Sequence, residues 1–189
     1  MSEAPVTLRT ADPSHAPALH ALVAANLEEG RLLPRTLDEL IVRAERFTIA
    51  VRGNTIVGCA ELAPLSAAIA EVRSLAVDKS VRGGGVGVRI VGELRRRALH
   101  DGFETLCAFT HAPGYFSQLG FSIVPHLWLT EKMFLDCVRC SRFRQCGQYA
   151  MVVPLHGALD CARSQPFNMA QEQADIFAEG RAAAAVGQA

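Results

Sequence analysis

A glycine-rich turn between a predicted strand and a predicted helix constrains the fold of this 189-residue chain more than any other segment. Residues 71–77 have the pattern of a strand, and residues 88–99 carry apolar residues at helical spacing. Backbone N–H groups at the start of a helix carry partial positive charge, and glycines let an anion approach them closely. The segment therefore predicts an anion site, against the alternative of a turn that is glycine-rich for structural reasons alone. The turn consists of Arg82, Gly83, Gly84, Gly85, Val86 and Gly87.

Two common phosphate-binding motifs fit this turn less well. A P-loop requires Lys-Ser or Lys-Thr after its glycines, and neither pair follows here. A dinucleotide-binding fingerprint requires three spaced glycines, and the stretch from Gly85 to Gly87 lacks the third. The turn therefore indicates another class of anion-binding protein.

Charge and hydropathy exclude several classes of protein. The 19 Lys and Arg residues balance 19 Asp and Glu residues, so bulk charge gives no support for a nucleic-acid binder. The longest apolar runs fall far short of the roughly 20 residues that cross a bilayer. The first residues also lack the basic and apolar regions of a secretory signal. We therefore expect a cytoplasmic protein that binds neither nucleic acid nor membrane, and the sequence leaves a homodimer open.

The chain alternates predicted strands and helices, which indicates an α/β domain over residues 1–155. Asp12 and Thr36 are expected to cap the first two helices, Glu39 to complete a capping box with Thr36, and Gly30 and Gly102 to end helices. Residues 156–189 are rich in Ala, Gln and Glu, and we expect them to form a helical or disordered tail. Strands are expected at residues 6–10, 47–51, 55–62, 69–77, 105–109, 122–124 and 149–154, with a short helix at 115–119.

Two motifs in the right order resemble those of the GNAT N-acetyltransferases. Residues 82–87 match the R/Q-x-x-G-x-G/A motif of that family, and residues 116–121 match its later aromatic-x-x-x-Gly-Phe element. The resemblance covers roughly residues 6–155. Within the family, the chain is most similar to the acetyltransferase domain of N-acetylglutamate synthases. That closer similarity lies in residues 30–35, 47–50, 58–62, 70–77 and 149–155.

This resemblance implies the fold and the co-substrate. The expected fold is a mixed, mostly antiparallel sheet with helices on both faces, splayed between its two central strands. Acetyl-CoA is the expected co-substrate, with its pantetheine arm along Leu75, Ala76 and Val77 and its pyrophosphate on the amides from Arg82 to Gly87. A backbone N–H near Leu75 would polarise the acetyl carbonyl.

The resemblance also implies that Glu71 is the catalytic base. An α-amine is mostly protonated at neutral pH, so a base must take a proton before the amine attacks a thioester. Glu71 lies on the central strand, where synthases of this type place a catalytic Glu, and we expect it to act through water. The alternative is a carboxylate paired with Arg73, two residues along the same strand face, and both can hold together.

Two arginines are the candidates for binding an acidic substrate. Arg35 matches the arginine that follows the first helix in the synthases, and Arg73 shares a strand face with Glu71. The alternative for each is a solvated or ion-paired arginine. The general acid stays open, because Phe116 occupies the place where many family members have Tyr, and the neighbouring Tyr115 is either a donor or a packing residue.

The expected function is therefore transfer of acetyl from acetyl-CoA to the α-amine of L-glutamate, a step toward arginine, by direct attack in a ternary complex. One alternative is an acetyltransferase for another amine, such as glutamine, another amino acid or a peptide N-terminus. A second alternative is a regulator that binds CoA or metal without catalysis.

The metal alternative depends on three cysteines with partial zinc-site spacing. Cys137 and Cys140 form a C-x2-C pair and Cys146 follows, but the second pair of a standard site is missing. We therefore predict free thiols here and keep metal binding as the weaker hypothesis. Cys59 and Cys107 fall in predicted strands and are expected to be small core residues.

Overall fold

The computed structural model describes residues 4–27 and 32–155. Within these residues the chain forms seven strands and five α-helices, joined in places by single turns of 3-10 helix. The elements are β1 (Val6–Thr10), α1 (Ala16–Leu27), α2 (Leu37–Arg43), β2 (Phe47–Arg52), β3 (Thr55–Pro64), β4 (Ile69–Val77), α3 (Val86–His100), β5 (Thr105–Thr110), α4 (Pro113–Gln118), β6 (Ser122–Val124), α5 (Thr130–Leu135) and β7 (Tyr149–Pro154).

The seven strands form one mixed sheet in the order β1-β2-β3-β4-β5-β7-β6. Every neighbouring pair is antiparallel except β4 and β5, which run parallel at the centre. The parallel pairing extends only from Ile69 and Thr105 to Val72 and Ala108. Beyond that point the two strands separate, so the edge of β4 that faces β5 has no neighbouring strand. The mixed, mostly antiparallel sheet and its central splay confirm the predicted fold.

Helices pack on both faces of the sheet because successive strand residues point to opposite sides. On β2, Ile49 is buried against α1 and α2, whereas the next residue, Ala50, is buried against α3. The apolar stripe of α3, which includes Ile90 and Leu94, covers the second face. The buried residues therefore form one cluster against α3, one against α1 and α2, and a third, smaller one. The third consists of Leu65, Cys107, Val124, Leu129 and Ala150.

Local signals place most of the element ends. Gly53 has a positive φ of 58° in the two-residue turn between β2 and β3, a conformation that suits glycine. Gly102 (φ 84°) ends α3, and the Phe103 N–H donates to the Ala98 carbonyl across it. The predicted end of α1 at Gly30 lies outside the described residues.

One predicted helix cap and one predicted capping box form differently from the expectation. Asp12 accepts from the Ser14 N–H, but it caps a turn of 3-10 helix that leads into α1. Thr36 caps α2 by accepting from the Glu39 N–H, as predicted. The Glu39 carboxylate bonds to arginine side chains instead of completing the capping box, because opposite charges lie within its reach.

β4 contains a bulge where it separates from β5. The register between β3 and β4 shifts between Cys59 and Glu61, so that Ser74 and Leu75 together oppose Ala60. Ser74 has a φ of 54°, a left-handed conformation that is strained for a residue with a side chain. The strand is thus distorted at the point where the sheet opens.

The long connection between β6 and β7 holds structure that the sequence analysis did not predict. Residues 125–148 contain α5 and three turns of 3-10 helix. These elements lie over the open ends of the central strands and contribute side chains to the site described below. The predicted tail, residues 156–189, lies outside the described residues, and its separation from residues 1–155 stays a prediction.

The core position of α3 gives a direct test of this packing. Leu94 is fully buried and Leu99, on the same helix, is 38% exposed. We expect Leu94→Ala to lower the free energy of unfolding by about 2–5 kcal/mol, because it leaves a cavity, and Leu99→Ala to lower it by about 1 kcal/mol or less. Urea unfolding of the two variants measures both values. Equal losses would contradict the assignment of Leu94 to the core.

Candidate active site

Two cavities meet where β4 and β5 separate. The first, the glycine cavity, has a volume of about 530 Å³ and lies between the glycine-rich turn, the end of β4 and α4. The second, the charged cavity, has a volume of about 430 Å³ and lies between β4, α5 and the segment before α2. The two cavities share four lining residues: Leu32, Val72, Ser74 and Phe109.

The start of α3 forms one wall of the glycine cavity. Gly83 and Gly85 have positive φ values of 83° and 74°, and Gly85 is the residue immediately before the helix. These conformations turn the chain sharply from β4 into a helix of 15 residues, whose first N–H groups have no partner within the helix. The start of α3, with its free N–H groups, therefore lies beside an open cavity.

Arg82 ties the turn to its surroundings. Its Nε donates to the Val77 carbonyl at 3.0 Å, and its guanidinium donates to Asn26 Oδ1 on α1 at 2.7 Å. The Asn26 side chain in turn donates to the Leu22 carbonyl. Arg82 lines the glycine cavity, and these bonds fix the position of the turn that follows it.

Gly87 and Tyr115 are in close contact across the glycine cavity. A Cβ atom added at Gly87 would lie 2.7 Å from the Tyr115 hydroxyl oxygen. That hydroxyl is buried without a hydrogen-bond partner in the described part of the chain, and burial raises the pKa of Tyr115. Phe116, the neighbouring residue, packs edge-on against both Tyr115 and Phe121. Tyr115 therefore presents an unsatisfied polar atom to the cavity, whereas Phe116 belongs to the core.

Glu71 lies at the inner end of the charged cavity, on the last stretch of β4 that still pairs with β5. Its side chain is almost fully buried. Lys132 Nζ donates to both carboxylate oxygens, at 2.9 and 2.8 Å, and the Arg73 guanidinium donates to Oε2. The predicted pairing of Glu71 with Arg73 is thus present, and Lys132 adds a second cation.

Asp136 completes a cluster of four charges with Glu71, Arg73 and Lys132, called the charge cluster below. Its Oδ2 accepts from Lys132 Nζ at 2.8 Å and from Arg73 at 2.5 Å. Burial raises the pKa of Asp136, but the hydrogen bond from Lys132 and the charge of Arg73 outweigh it and hold the pKa below its ordinary value. The cluster joins β4 to α5 through charged hydrogen bonds.

Arg35 lines the charged cavity and is held by protein carboxylates. It is only 6% exposed and donates to Oε2 of Glu61, which is fully buried, at 2.8 Å. It also lies 3.2 Å from Glu39 and donates to Ser74 Oγ at 3.2 Å. Both arginines predicted to bind substrate therefore lie at the cavity, and both are ion-paired there.

Arg139 differs from the other cations that line this cavity. It is exposed, and its guanidinium has no carboxylate or hydrogen-bond partner among residues 4–27 and 32–155. It comes from the same connection as α5. The charged cavity thus has a cation at its rim that is available to a ligand.

The three cysteines of the predicted partial zinc site also line the charged cavity. In the described residues no group of three or more His, Cys, Asp and Glu side chains is placed to hold a metal ion. Cys137, Cys140 and Cys146 are free thiols, and burial raises the pKa of Cys137. Cys59 and Cys107 are buried in the sheet, which confirms them as core residues, and burial raises the pKa of Cys59 to about 12.

Four charged residues of this site were not predicted from the sequence: Glu61, Lys132, Asp136 and Arg139. Lys132 and Asp136 lie in the connection for which no element was predicted, and Lys132 meets Glu71 across 61 positions in sequence. Their mutual spacing of four residues, typical of an ion pair on a helix, was the one local signal. Glu61 lies in a predicted strand and carried no signal of its pairing with Arg35.

Comparison with known proteins agrees with this geometry. Residues 16–121 match the family described as Acetyltransferase (GNAT) family. The match covers more than half of the chain, so the chain belongs to the GNAT family and is an N-acetyltransferase. The resemblance drawn from the two motifs is confirmed.

Two relatives in sequence show how far the similarity extends. An uncharacterised N-acetyltransferase of Chlorobaculum tepidum is 26% identical over 155 residues, which cover 82% of this chain and all of that protein. The amino-acid acetyltransferase of Vibrio vulnificus is 31% identical over 96 residues, which cover 50% of this chain and 22% of that protein. The chain therefore matches only a small part of the amino-acid acetyltransferases.

Solved structures extend the comparison. N-acetylglutamate synthase from Neisseria gonorrhoeae, complexed with coenzyme A and N-acetyl-glutamate, superposes with a TM-score of 0.71 at 26% identity. The superposition covers 82% of this chain and 36% of the synthase. A Mycobacterium tuberculosis protein in complex with CoA superposes with a TM-score of 0.68 at 23% identity, over 78% of this chain and 98% of that one, and supports the fold alone.

The helices of the described residues are too short and too polar for any of them to span a membrane.

Proposed function

We propose that this N-acetyltransferase transfers acetyl from acetyl-CoA to the α-amine of L-glutamate. The observation that carries the proposal is the position of Glu71, a buried carboxylate in a cation-lined cavity that opens into the glycine cavity at the splay. The similarity to the synthase from Neisseria gonorrhoeae supports glutamate as the acceptor.

The glycine cavity fits acetyl-CoA. The start of α3 would hold the pyrophosphate on its free N–H groups, from the turn Arg82 to Gly87. Beyond Val72 the edge of β4 has no neighbouring strand, so Leu75, Ala76 and Val77 are placed to hydrogen-bond the pantetheine arm. The unsatisfied Tyr115 hydroxyl in the same cavity fits a polar ligand. Acetyl-CoA supplies the activated acetyl group as a thioester.

The charged cavity fits the acceptor. Glu71 would take a proton from the ammonium through a water molecule, and the neutral amine would then attack the thioester directly in a ternary complex. Lys132 and Arg73 orient the Glu71 carboxylate through charged hydrogen bonds. A thiolate is a weak enough base to leave before it is protonated, so water can protonate the departing CoA thiolate.

The cations of this cavity favour an acidic acceptor. Arg35 and Arg73 were predicted to bind the substrate carboxylates, and both line the cavity with their charges shared by protein carboxylates. Arg139 has no such partner in the described structure and is exposed at the rim. We therefore add Arg139 to the two predicted arginines as a group that binds a substrate carboxylate.

The acceptor and the base are tested together by CoA release from acetyl-CoA with glutamate, glutamine and a panel of other amines. We expect turnover with glutamate and a loss of about 100- to 10,000-fold in kcat for Glu71→Gln, because the variant cannot take the proton. Glu93→Gln, on the far side of α3 and outside both cavities, is the matched control and should keep full activity.

Other outcomes would change the assignment. Turnover with a different amine alone would keep the family and replace the substrate. No turnover with any amine of the panel, together with binding of acetyl-CoA in a calorimetric titration, would favour a non-catalytic CoA-binding protein over an amino-acid acetyltransferase.

The glycine cavity is tested by two Gly→Ala substitutions on one helix. Gly87→Ala places a methyl group against the Tyr115 hydroxyl and beside the first N–H groups of α3, so we expect the Kd for CoA to rise about tenfold. Gly92→Ala on the exposed side of α3 meets no atom within 4 Å. It should leave the Kd unchanged and stabilise the fold by up to about 1 kcal/mol. Equal affinities of the two variants for CoA would contradict the assignment of CoA to this cavity.

The role of Arg139 is tested by comparing an acid with its amide. A charge-assisted hydrogen bond contributes about 1.5–3 kcal/mol, so Arg139→Gln should raise the KM for glutamate roughly 10- to 100-fold and change the KM for glutamine little. Arg142→Gln, an exposed arginine of the same connection that does not line the cavity, should behave as wild type. Equal changes in the KM for glutamate and for glutamine would show that Arg139 does not bind the side-chain carboxylate of glutamate.

A further inference from the structure

Lys132 places a primary amine in the charged cavity, near Phe109, a residue that the two cavities share. Its Nζ donates to both oxygens of Glu71, at 2.9 and 2.8 Å, and to Asp136 Oδ2 at 2.8 Å. The side chain is only 12% exposed. Nζ also lies 5.3 Å from the ring centre of Phe109, which lines both cavities. The amine is thus held beside the proposed base, at the edge of the space that the acetyl group would enter.

An acceptor amine in the proposed reaction has to lie close to this position, within one water molecule of Glu71. It must give its proton to Glu71 and face the thioester at the splay between β4 and β5. Lys132 already makes the first contact without any substrate. A lysine amine that has lost its proton is a competent nucleophile toward a carbonyl. The protein therefore carries an internal amine in the place of the acceptor.

The choice of lysine at this position has chemical consequences. The other cations that line the charged cavity are arginines, whose guanidinium stays protonated and does not act as a nucleophile. The whole chain contains only two lysines among its 19 basic residues, Lys79 and Lys132. Lys79 is exposed and lines neither cavity. One of the two lysines thus stands at the proposed reaction centre.

We propose that Lys132 is a site of self-acetylation. A proton passes from Lys132 Nζ to Glu71, and the nitrogen lone pair forms an amide bond with the acetyl carbonyl carbon of acetyl-CoA. The C–S bond breaks, the sulfur leaves with its electron pair, and the nitrogen gives up its second proton, through water, to the thiolate. The products are acetylated Lys132 and free CoA. This inference rests on the use of acetyl-CoA and the base role of Glu71 in the proposed function.

Acetylation changes the cavity in two ways. The amide is neutral, so the Glu71 and Asp136 carboxylates keep Arg73 as the remaining cation of the charge cluster. The acetyl group also fills the position of the acceptor amine. Self-acetylation therefore lowers transfer to glutamate, and bound glutamate protects Lys132 by occupying the same place.

The test is incubation of the full chain with acetyl-CoA alone, followed by intact-mass measurement and peptide mapping. We expect one acetyl group per chain, on Lys132 and not on Lys79, with a parallel loss of glutamate acetylation. Saturating glutamate should slow the modification about tenfold or more, as should Glu71→Gln, which removes the proton acceptor. Lys132→Arg removes the primary amine and should abolish the modification at this position.

Matched controls separate enzymatic from chemical acetylation. Lys79→Arg should leave the modification and the activity loss as in wild type, and heat-denatured protein should not be acetylated at Lys132. Equal acetylation of the two lysines in the folded chain would overturn the inference. Glutamate turnover with Lys132 unmodified would overturn it and leave the proposed function intact. Absence of acetyl-CoA binding by calorimetry would overturn both. Mapping of the wild-type chain decides these outcomes even where a variant fails to fold.

Discussion

The separation of β4 and β5 is the constraint on which the site depends. The two central strands pair as far as Val72 and Ala108 and then diverge. A sheet that is otherwise continuous therefore opens between them. The opening exposes the backbone of β4 and joins the glycine cavity to the charged cavity. Glu71 lies one residue before the end of the pairing, where the strand is still held on both sides. The carboxylate is therefore held at the inner end of the charged cavity, where Arg73 and Lys132 contact it.

Ion pairs hold the charged cavity together where the apolar core does not reach. Arg35 connects the segment before α2 to Glu61 on β3, and the charge cluster connects β4 to α5. Removal of one partner from a buried pair leaves an uncompensated charge and costs about 3–5 kcal/mol, so these pairs are strongly interdependent. The cavity is thus built from distant segments whose positions are set by charge.

The fold was largely predictable because its elements carry local signals, such as the turn at Gly53 and the end of α3 at Gly102. The position of Glu71 and Arg73 on one face of β4 was predictable too, because alternate strand residues share a face. The partners supplied by α5 were not predictable, since a helix of six residues has little periodicity and its contacts with β4 span about 60 positions. The Glu39 carboxylate was predicted to complete the capping box. It pairs with two arginines instead, so an ion pair has displaced a capping hydrogen bond.

The bulge at Ser74 also shifts the alternation of side chains between the two faces of β4. Before it, the even-numbered residues Ala70 and Val72 pack on the side of α3; after it, the odd-numbered Leu75 and Val77 do so, while Ala76 packs on the side of α1. The extra residue therefore moves the odd-numbered positions from the face of Glu71 and Arg73 to the face that packs against α3. Deletion of a single residue here would invert the second half of the strand, so this segment can change by substitution but not in length.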